Sequence, residues 1–400
     1  MARHTRVGID IGTSQTKIVV AESIQVGGRT IPKIIGTGIV ETRGLARGYV
    51  ADAEEVSSSL RQALARAEKS SGIKIKRAHV SFGGVGLNSI TTTASIVISR
   101  ADLEITKRDL EQVLELAENA IPKQELLNRK ILNTVPIEYK MDGKVMWGRV
   151  EGLKAHKLEV KALFITCLEH HLADLIQVVE RAGVEVEDVV AGPVATSIVT
   201  LGKMDKKAGC LLADIGAETL SIVVYENGGI VSLEVFPVGG MDITNDLALG
   251  LKIPIDEAES VKLGAVPRST SSRRKPTDII SARLDDCFEL IDQHLKKIGR
   301  DALLPAGIIM TGGTVGIDDI KKSAENSLKL PARIADIYFG GDEKNKVRDN
   351  IWATACGLSL IGFSDDDNFN SGGFGINLNI FGNWKKVARK TGDWISQFLP

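Results

Sequence analysis

The feature that most constrains this chain is an internal repeat that aligns without a gap. Residues 7–22 read VGIDIGTSQTKIVVAE, and residues 211–226 read LLADIGAETLSIVVYE. Both copies carry Asp-Ile-Gly, starting at Asp10 and Asp214, followed at the same spacing by Ile-Val-Val. β-Branched runs on either side of a Gly-containing turn are typical of a β-hairpin. Two unrelated hairpins would share alternation but need not share this order. The repeat therefore predicts two similar domains, each opening with the same hairpin.

Around the repeat, the spacing of apolar residues predicts an α/β fold with two lobes. After three β-rich runs, Val56, Leu60 and Leu64 recur at helical spacing. Residues 84–162 differ, because β-branched runs there flank a single helix, and this indicates a small α+β insertion. A chain of 400 residues exceeds what one hydrophobic core usually serves, so we expect several domains. The first lobe would comprise 1–83 and 163–195, with 84–162 as the insertion, and the second lobe would comprise 196–230 and 301–363, with 231–300 as a further subdomain. Residues 364–381 would form a flexible linker, and 382–400 a terminal helix.

The composition argues against several classes of protein. The formal net charge is −1, which gives no bulk attraction to nucleic acid, so no nucleic-acid partner is expected. The four cysteines are far apart and form no CxxC pair, so we expect reduced, buried thiols rather than disulfides or zinc. No signal peptide and no apolar run of membrane-spanning length is visible. A cytoplasmic protein is expected unless another element tethers it.

The two predicted hairpins have the chemistry of a phosphate site. Glycine lets the backbone approach an anion closely and leaves N–H groups pointing at its oxygens. In the first hairpin Gly12, Thr13 and Ser14 would supply these donors, and Lys17 could add a positive charge to a β-phosphate. Asp10 and Asp214 would face each other and hold the waters of a Mg²⁺ ion, which prefers few carboxylates and several waters. The matching turn of the second hairpin contains Gly216, Ala217, Glu218 and Thr219.

Two further segments fit a nucleoside. The strand GIIMTGG ends in Gly312 and Gly313 before a predicted helix, and such glycines allow a ribose or base to lie flat against the backbone. An ordinary strand-to-helix turn is the alternative. Glu259 and Lys262 lie three residues apart on one predicted helix face, where they could bind a ribose hydroxyl and an adenine edge. Alone, such a pair is more often a surface ion pair.

In this order, two phosphate hairpins, a Gly-Gly motif and a Glu-x-x-Lys helix resemble the superfamily of actin, sugar kinases and DnaK-type chaperones. TRG at 42–44, NTVPIEY at 133–139 and the amphipathic C-terminus narrow the resemblance to the FtsA family, over essentially the whole chain. The resemblance implies a two-lobed actin-like ATPase fold that holds ATP and Mg²⁺ between the lobes. It also implies filaments on the inner face of the cell membrane at the division site, where the protein tethers FtsZ and meets other division proteins.

Two departures from the superfamily pattern bear on ATP. The second hairpin of the superfamily usually reads Asp-Ile-Gly-Gly-Gly-Thr, whereas here Ala217 and Glu218 replace the later glycines, and Glu218 brings an acidic group to a phosphate turn. In the stretch GPVATS, Gly192 stands where actin and chaperones carry a Glu or Gln that orients the attacking water. We therefore expect ATP to act mainly as a structural and switching ligand, at most with slow turnover.

The resemblance also implies a binding surface for the C-terminal peptide of FtsZ on the 231–300 subdomain. Arg283 is the best match to its basic contact. The basic loop with Arg273 and Arg274 is a second candidate, although a solvated charged loop accounts for it equally well. By the resemblance alone, the insertion would contact the next subunit of a filament.

The C-terminal stretch GNWKKVARKTGDWISQFLP separates into two faces when it is drawn as a helix. Large apolar side chains lie on one arc and basic side chains on the other, which is typical of a helix at the surface of an anionic membrane. The alternative is a helix docked on the protein's own core. The residues expected to bind the membrane are Trp384, Lys385, Lys386, Val387, Arg389, Lys390, Trp394, Ile395, Phe398 and Leu399.

Two other functions remain open from the sequence. A sugar or acid kinase of the same superfamily would need a catalytic Asp in an acceptor pocket, and no convincing candidate is found. A PilM-like scaffold of pilus assembly would share the fold but would lack the terminal membrane peptide.

Overall fold

The computed structural model describes residues 4–26, 29–146, 148–266, 275–339 and 349–364. The predicted linker, the terminal helix at 382–400, Arg273 and Arg274 lie outside these residues. The strands are β1 (Thr5–Ile11), β2 (Gln15–Val26), β3 (Arg29–Glu41), β4 (Leu45–Ala46), β5 (Tyr49–Val50), β6 (Arg77–Phe82), β7 (Asn88–Val97), β8 (Arg129–Met141), β9 (Lys144–Met146), β10 (Lys157–Leu168), β11 (Glu185–Ala191), β12 (Cys210–Ile215), β13 (Leu220–Glu226), β14 (Gly229–Phe236), β15 (Ile308–Thr311) and β16 (Ala332–Ile334). The helices are α1 (Ala53–Ser71), α2 (Lys107–Asn119), α3 (Glu169–Arg181), α4 (Gly192–Thr200), α5 (Lys203–Ala208), α6 (Gly240–Leu251), α7 (Ile255–Lys262), α8 (Pro276–Lys297), α9 (Ile320–Leu328) and α10 (Ala353–Ser364).

The first lobe is built on a five-stranded sheet in the order β11-β6-β1-β2-β3. The predicted hairpin is present: β1 and β2 pair antiparallel, with Asp10 opposite Lys17. Helix α1 covers this sheet with the apolar face that the sequence predicts. The Asp52 carboxylate caps its first turn by accepting hydrogen bonds from the amides of Glu54 and Glu55, and Gly72 ends it with a φ of 71°.

The second lobe repeats this sheet. Its strands run β16-β15-β12-β13-β14, so each strand has a counterpart at the same place in the first lobe. The β12–β13 hairpin places Asp214 opposite Ser221, at the position that Asp10 and Lys17 occupy in the first copy. The predicted duplication is therefore confirmed, and it extends from one hairpin to the whole order of the sheet.

The insertion forms an antiparallel sheet of β7, β10, β8 and β9 with α2 packed against it. Helix α2 begins at Thr106, where Asp109 accepts hydrogen bonds from the Thr106 amide at 2.7 Å and from its hydroxyl at 2.6 Å. Residues 163–168, expected in the first lobe, belong to β10, which pairs with β7 from Lys157 to Thr166 and with β8 from Leu158 to Leu168. One strand spans the expected boundary because its pairing with β7 continues there without a register shift, and the chain reaches the first lobe at α3.

Helices α4 and α10 carry the chain between the lobes and cross at close range. A Cβ added at Gly357 of α10 would lie 1.9 Å from the Ala195 carbonyl oxygen of α4, so only glycine permits this approach. The Thr196 and Thr354 hydroxyls are hydrogen-bonded across the crossing at 2.9 Å. The crossing lies directly behind the ends of the two hairpins.

Candidate functional site

A cavity of about 530 Å³ lies between the lobes, where the turns of both hairpins meet. Its volume falls within the range of pockets that bury a small ligand. Residues from each predicted motif line it: Asp10, Gly12, Thr13, Ser14 and Lys17 from the first hairpin, Asp214, Gly216, Ala217 and Thr219 from the second, Glu259 and Lys262 from α7, and Gly312 and Gly313 after β15. Gly192 also lines this cavity.

The two hairpin turns have the same backbone geometry. The Gly12 amide donates to the Gln15 carbonyl at 3.1 Å, and the Gly216 amide donates to the Thr219 carbonyl at 2.9 Å. A Cβ at either glycine would lie 3.0–3.1 Å from that carbonyl oxygen, which is tighter than ordinary side chains tolerate. Both turns therefore present bare backbone to the cavity, as a phosphate chain requires.

Asp10 and Asp214 lie in different electrostatic environments. The Asp10 carboxylate is 3.1 Å from the Lys17 ammonium and accepts a hydrogen bond from the Ser81 hydroxyl at 2.8 Å. Burial, with the nearby negative charge of Asp10, raises the pKa of Asp214 to about 6. A divalent cation in the cavity would compensate both negative charges. Among the described residues no group of three or more His, Cys, Asp or Glu side chains that could hold a metal ion occurs.

The other part of the cavity contains a hydrogen-bonded cluster of Glu259, Lys262 and Thr244. The Lys262 ammonium lies 2.6 Å from the Glu259 carboxylate and 2.9 Å from the Thr244 hydroxyl, and it donates to the Gly240 carbonyl at 3.1 Å. The Lys262 side chain is only 8% exposed, whereas that of Glu259 is 43% exposed. This is not a solvated surface pair, and the Glu259 carboxylate remains accessible for a ligand hydroxyl.

The turn after β15 differs from its prediction in one respect. Gly312 has a φ of 100°, and a Cβ there would lie 2.5 Å from an Asp214 carboxylate oxygen, so a glycine is required. The helix expected to follow directly begins only at Ile320, in α9. The helix N-termini that line the cavity belong to other helices, among them α6 through Gly240 and Met241 and α4 through Gly192.

Glu218 is the one residue of the second turn that lies outside this cavity. Its carboxylate accepts a hydrogen bond at 2.6 Å from the backbone amide of Arg47, in the first lobe, and lines a neighbouring cavity of about 460 Å³. The sequence placed Glu218 beside the phosphate because it stands where the second hairpin of the superfamily carries a glycine. The side chain is long enough to leave the turn and reach the opposite lobe.

Several residues that line the cavity escaped the sequence analysis. They are Ser81, Gly240, Thr244, Thr314, Asn350 and Thr354. The Asn350 Oδ1 atom is buried and has no hydrogen-bond partner in the described part of the chain. The Gly-Gly pair at 239–240, directly before α6, was a usable signal for Gly240. Isolated Ser, Thr and Asn side chains carry no such pattern, because only the fold brings them to the cavity.

Arg283 lies on α8, away from the cavity. Its guanidinium pairs with Asp246 at 2.6 Å and with Asp286 at 3.3 Å, and its side chain is 31% exposed. The hydrogen bond to Asp246 raises the pKa of Arg283 above its usual value. Arg283 is therefore partly exposed on α8 and already engaged with two carboxylates.

Comparison with known proteins places this architecture in a family. The family model "Cell division protein FtsA" matches residues 211–357, and "SHS2 domain inserted in FTSA" matches residues 84–166. Cell division protein FtsA of Bacillus subtilis is 30% identical over 374 residues, covering 88% of this chain and 82% of the relative. Cell division protein FtsA of Pseudomonas aeruginosa is 29% identical over 378 residues, covering 89% and 88%.

Solved structures support the fold. A chain of the PilM-PilN type IV pilus biogenesis complex superposes with a TM-score of 0.64 at 18% identity, covering 89% of this chain and 98% of that one. The ethanolamine utilization protein EutJ from Carboxydothermus hydrogenoformans superposes with a TM-score of 0.52 at 17% identity, covering 90% of this chain and 91% of that one. At such identities the likeness concerns the fold alone, and the predicted two-lobed actin-like fold is confirmed.

Within the residues that the structure describes, no helix combines the length and apolarity needed to cross a bilayer. The duplicated sheets, the inserted subdomain and the match to the Bacillus subtilis protein lead to one conclusion: this chain belongs to the FtsA family of actin-like cell-division proteins.

Proposed function

We propose that this protein is an ATP-dependent adaptor that polymerises on the cytoplasmic membrane and anchors FtsZ there during cell division. The observation that carries the proposal is the convergence of both hairpin turns, with Asp10, Lys17 and Asp214, on one interlobe cavity that also contains the Glu259–Lys262 cluster. These groups suit a triphosphate at one end and a ribose at the other.

Each residue has a role that follows from its surroundings. The backbone amides of the two turns donate to phosphate oxygens, and Lys17 adds a positive charge from the first lobe. When bound, Mg²⁺ would neutralise phosphate charge, with Asp10 and Asp214 accepting hydrogen bonds from its waters. Glu259 accepts from a ribose hydroxyl, held in place by Lys262. Because both lobes contribute, the ligand stabilises the closed arrangement of the lobes.

Titration of the purified protein with ATP, with and without Mg²⁺, tests this site. We expect Mg²⁺-dependent binding that is lost in Glu259→Ala, whereas Asn326→Ala, an exposed position on α9, serves as the control. Equal affinity in Glu259→Ala and in the parent protein would contradict the assignment of the ribose end.

Turnover of ATP is proposed to be slow. Gly192 and Pro193 line the cavity at the start of α4, and a glycine has no side chain with which to orient an attacking water. We expect steady-state phosphate release well below about 1 s⁻¹, the lower limit for typical kinases. Release at kinase-like rates would show that another group orients the water.

Arg283 is proposed to contact the C-terminal peptide of FtsZ. Because Asp246 occupies the guanidinium, an acidic peptide must compete with this carboxylate. Arg283→Ala should weaken binding of the peptide by roughly tenfold, as for loss of a charge-assisted contact. Asp246→Asn should strengthen it, because it removes the competitor and retains a polar partner. Fluorescence anisotropy of a labelled peptide measures both, and weaker binding in Asp246→Asn would contradict the competition.

Membrane attachment is proposed for residues 382–400 from the sequence alone. Trp384, Trp394 and Phe398 would enter the lipid boundary while Lys385, Lys386 and Arg389 meet anionic headgroups. Co-sedimentation with anionic liposomes should be lost on deletion of 382–400 and reduced in Trp384→Ala/Trp394→Ala. Replacing anionic with zwitterionic lipid should also reduce it. Binding that is unchanged by the deletion would refute the anchor, and electron microscopy on a lipid monolayer with ATP would test the filament.

A further inference from the structure

The contact between Glu218 and Arg47 joins the two lobes beside the nucleotide cavity. The Glu218 carboxylate accepts a hydrogen bond from the Arg47 backbone amide at 2.6 Å. Gly48, the next residue, lines the nucleotide cavity, and Met241 lines both that cavity and the neighbouring one. The contact therefore stands at the border of the cavity, in a place distinct from the α4–α10 crossing.

The partner on the first lobe is held rigidly. Arg47 and Gly48 form the tip of the β4–β5 hairpin with φ values of 50° and 79°, as in a tight two-residue turn. A Cβ at Gly48 would lie 2.5 Å from the Cα of Gly84, so the tip rests directly on the lobe. The Tyr49 ring stacks on His171 of α3 at 3.6 Å. The Arg47 amide therefore has a fixed position on the first lobe.

The partner on the second lobe is equally fixed. The Gly240 amide donates to the Gly216 carbonyl at 2.9 Å, and the Met241 amide donates to the Ala217 carbonyl at 2.7 Å. The Thr314 hydroxyl also donates to the Gly216 carbonyl, at 2.9 Å. The turn that carries Glu218 is therefore bound to the start of α6 and cannot follow the first lobe without moving that helix.

We infer that this hydrogen bond, named here the Glu218–Arg47 latch, must open before nucleotide leaves, so that Glu218 governs the residence time of the nucleotide. The inference rests on the proposed nucleotide function. Two rigid parts that meet across a cleft separate when the lobes rotate about α4 and α10, because a hydrogen bond at 2.6 Å does not survive an opening of more than about 1 Å. The Glu218 side chain holds the lobes together, and the backbone amides of its turn remain available to the phosphate.

The opposite effect is the natural alternative for an acidic residue in a phosphate turn. If Glu218 acted by repelling phosphate, neutral replacements would slow nucleotide release. The latch requires the reverse. Glu218→Ala removes the acceptor and should accelerate release, whereas Glu218→Gln keeps an acceptor oxygen at the same reach and should stay near the parent rate.

Stopped-flow release of a fluorescent ATP analogue with Mg²⁺ from the full chain tests the inference. We expect release from Glu218→Ala to be roughly threefold to tenfold faster, the range for loss of one exposed charge-assisted hydrogen bond. Asn245→Ala, which lines the same neighbouring cavity, is the matched control and should release at the parent rate. Parent-like or slower release from Glu218→Ala would overturn the latch.

A second readout needs no nucleotide. In the nucleotide-free parent protein, the Arg47 amide should exchange slowly with deuterium because it is hydrogen-bonded, and in Glu218→Ala it should exchange several-fold faster. Equal exchange in the two proteins would overturn the latch. Failure of the parent protein to bind the analogue would instead refute the proposed nucleotide function, while the exchange measurement would still decide the latch.

Discussion

The two lobes share one sheet order and one hairpin, yet they differ at the positions that face the cavity. In the first hairpin Lys17 lies opposite Asp10 and pairs with it, whereas in the second Ser221 lies opposite Asp214, so that Asp214 has no cation in its own hairpin. The first turn carries Thr13 and Ser14 where the second carries Ala217 and Glu218. Duplication preserved the backbone that approaches the ligand. The charges differ between the copies. The first lobe carries the positive charge of Lys17, and the second carries the carboxylate of Asp214, which has no cation in its own hairpin.

The sharpest way to test this division is to remove the cation. Lys17→Ala should weaken Mg-ATP binding by about 10- to 100-fold, because a charged contact to phosphate is lost. Ser221→Ala at the equivalent position should change affinity less than about twofold, because its hydroxyl carries no charge to offer to phosphate. Calorimetric titration of both variants measures the contrast. Equal losses would show that the lobes share the phosphate charge.

The two aspartates should respond to neutralisation with opposite signs in the nucleotide-free protein. The folded-state pKa of Asp214 is raised to about 6, so its ionised form opposes folding and stability is lost as pH rises from about 3.8 through 6. Asp214→Asn should therefore stabilise the protein at pH 7 by about 1–3 kcal/mol. Asp10→Asn should destabilise it by a similar amount, because Lys17 loses its partner. Urea unfolding of both variants measures the signs, and like signs would contradict the assigned division of charge.

The lobes also differ in their buried histidines. In the first lobe His79 lies 3.3 Å from Glu187, and its hydrogen bond lowers the pKa of Glu187. In the second lobe His294 lies 2.8 Å from the Ser232 hydroxyl, and burial lowers the pKa of His294 to about 4. Since the unfolded chain takes up the proton first, His294 removes stability as pH falls from 6.5 toward 4.

His294→Gln should consequently make the free energy of unfolding depend less on pH below pH 6.5. Between pH 6.5 and pH 4 the variant should lose about 1–2 kcal/mol less than the parent protein does. Thermal unfolding at a series of pH values measures this difference, with the exposed His156→Gln as control. Parallel curves for the parent and His294→Gln would mean that this histidine is not neutral in the folded state.

The smallest effect concerns the turn hydroxyls. Thr13→Val/Ser14→Ala should weaken ATP binding only about two- to fivefold, because the backbone amides remain and supply most of the contact. A loss as large as that of Lys17→Ala would move the main phosphate contacts from backbone to side chains. Calorimetric titration of Thr13→Val/Ser14→Ala and of Lys17→Ala with ATP, under the same conditions, compares the two losses of affinity directly.

Sequence reasoning predicted the parts of the fold that repeat or that have a period. The two hairpins, the apolar face of α1 and the single helix of the insertion were predicted because alternation and helical spacing are local properties. The two-lobed architecture followed from a single repeat, because hairpins this similar imply duplicated domains.

What sequence could not supply depends on contacts distant along the chain. The pairing with β7 that keeps 163–166 in the insertion involves residues more than sixty positions upstream, and no local pattern records it. Helix α9 starts later than predicted because residues 314–319 form turns after the Gly-Gly pair. Glu218 was assigned by its place in the repeat, but its orientation depends on the position of the β4–β5 hairpin. The raised pKa of Asp214 likewise arises only once both lobes enclose it.

The insertion has a mechanical consequence. It interrupts the first lobe in sequence, yet its strand β7 meets β14 of the second lobe at Asn88 and Glu234 and thereby extends that sheet to nine strands. Ser89 reinforces the junction through hydrogen bonds with both the amide and the carbonyl of Leu233. The subdomain is thus connected to the first lobe through the chain and to the second lobe through the sheet. A small rotation within the cleft would be delivered at its far edge as a larger displacement.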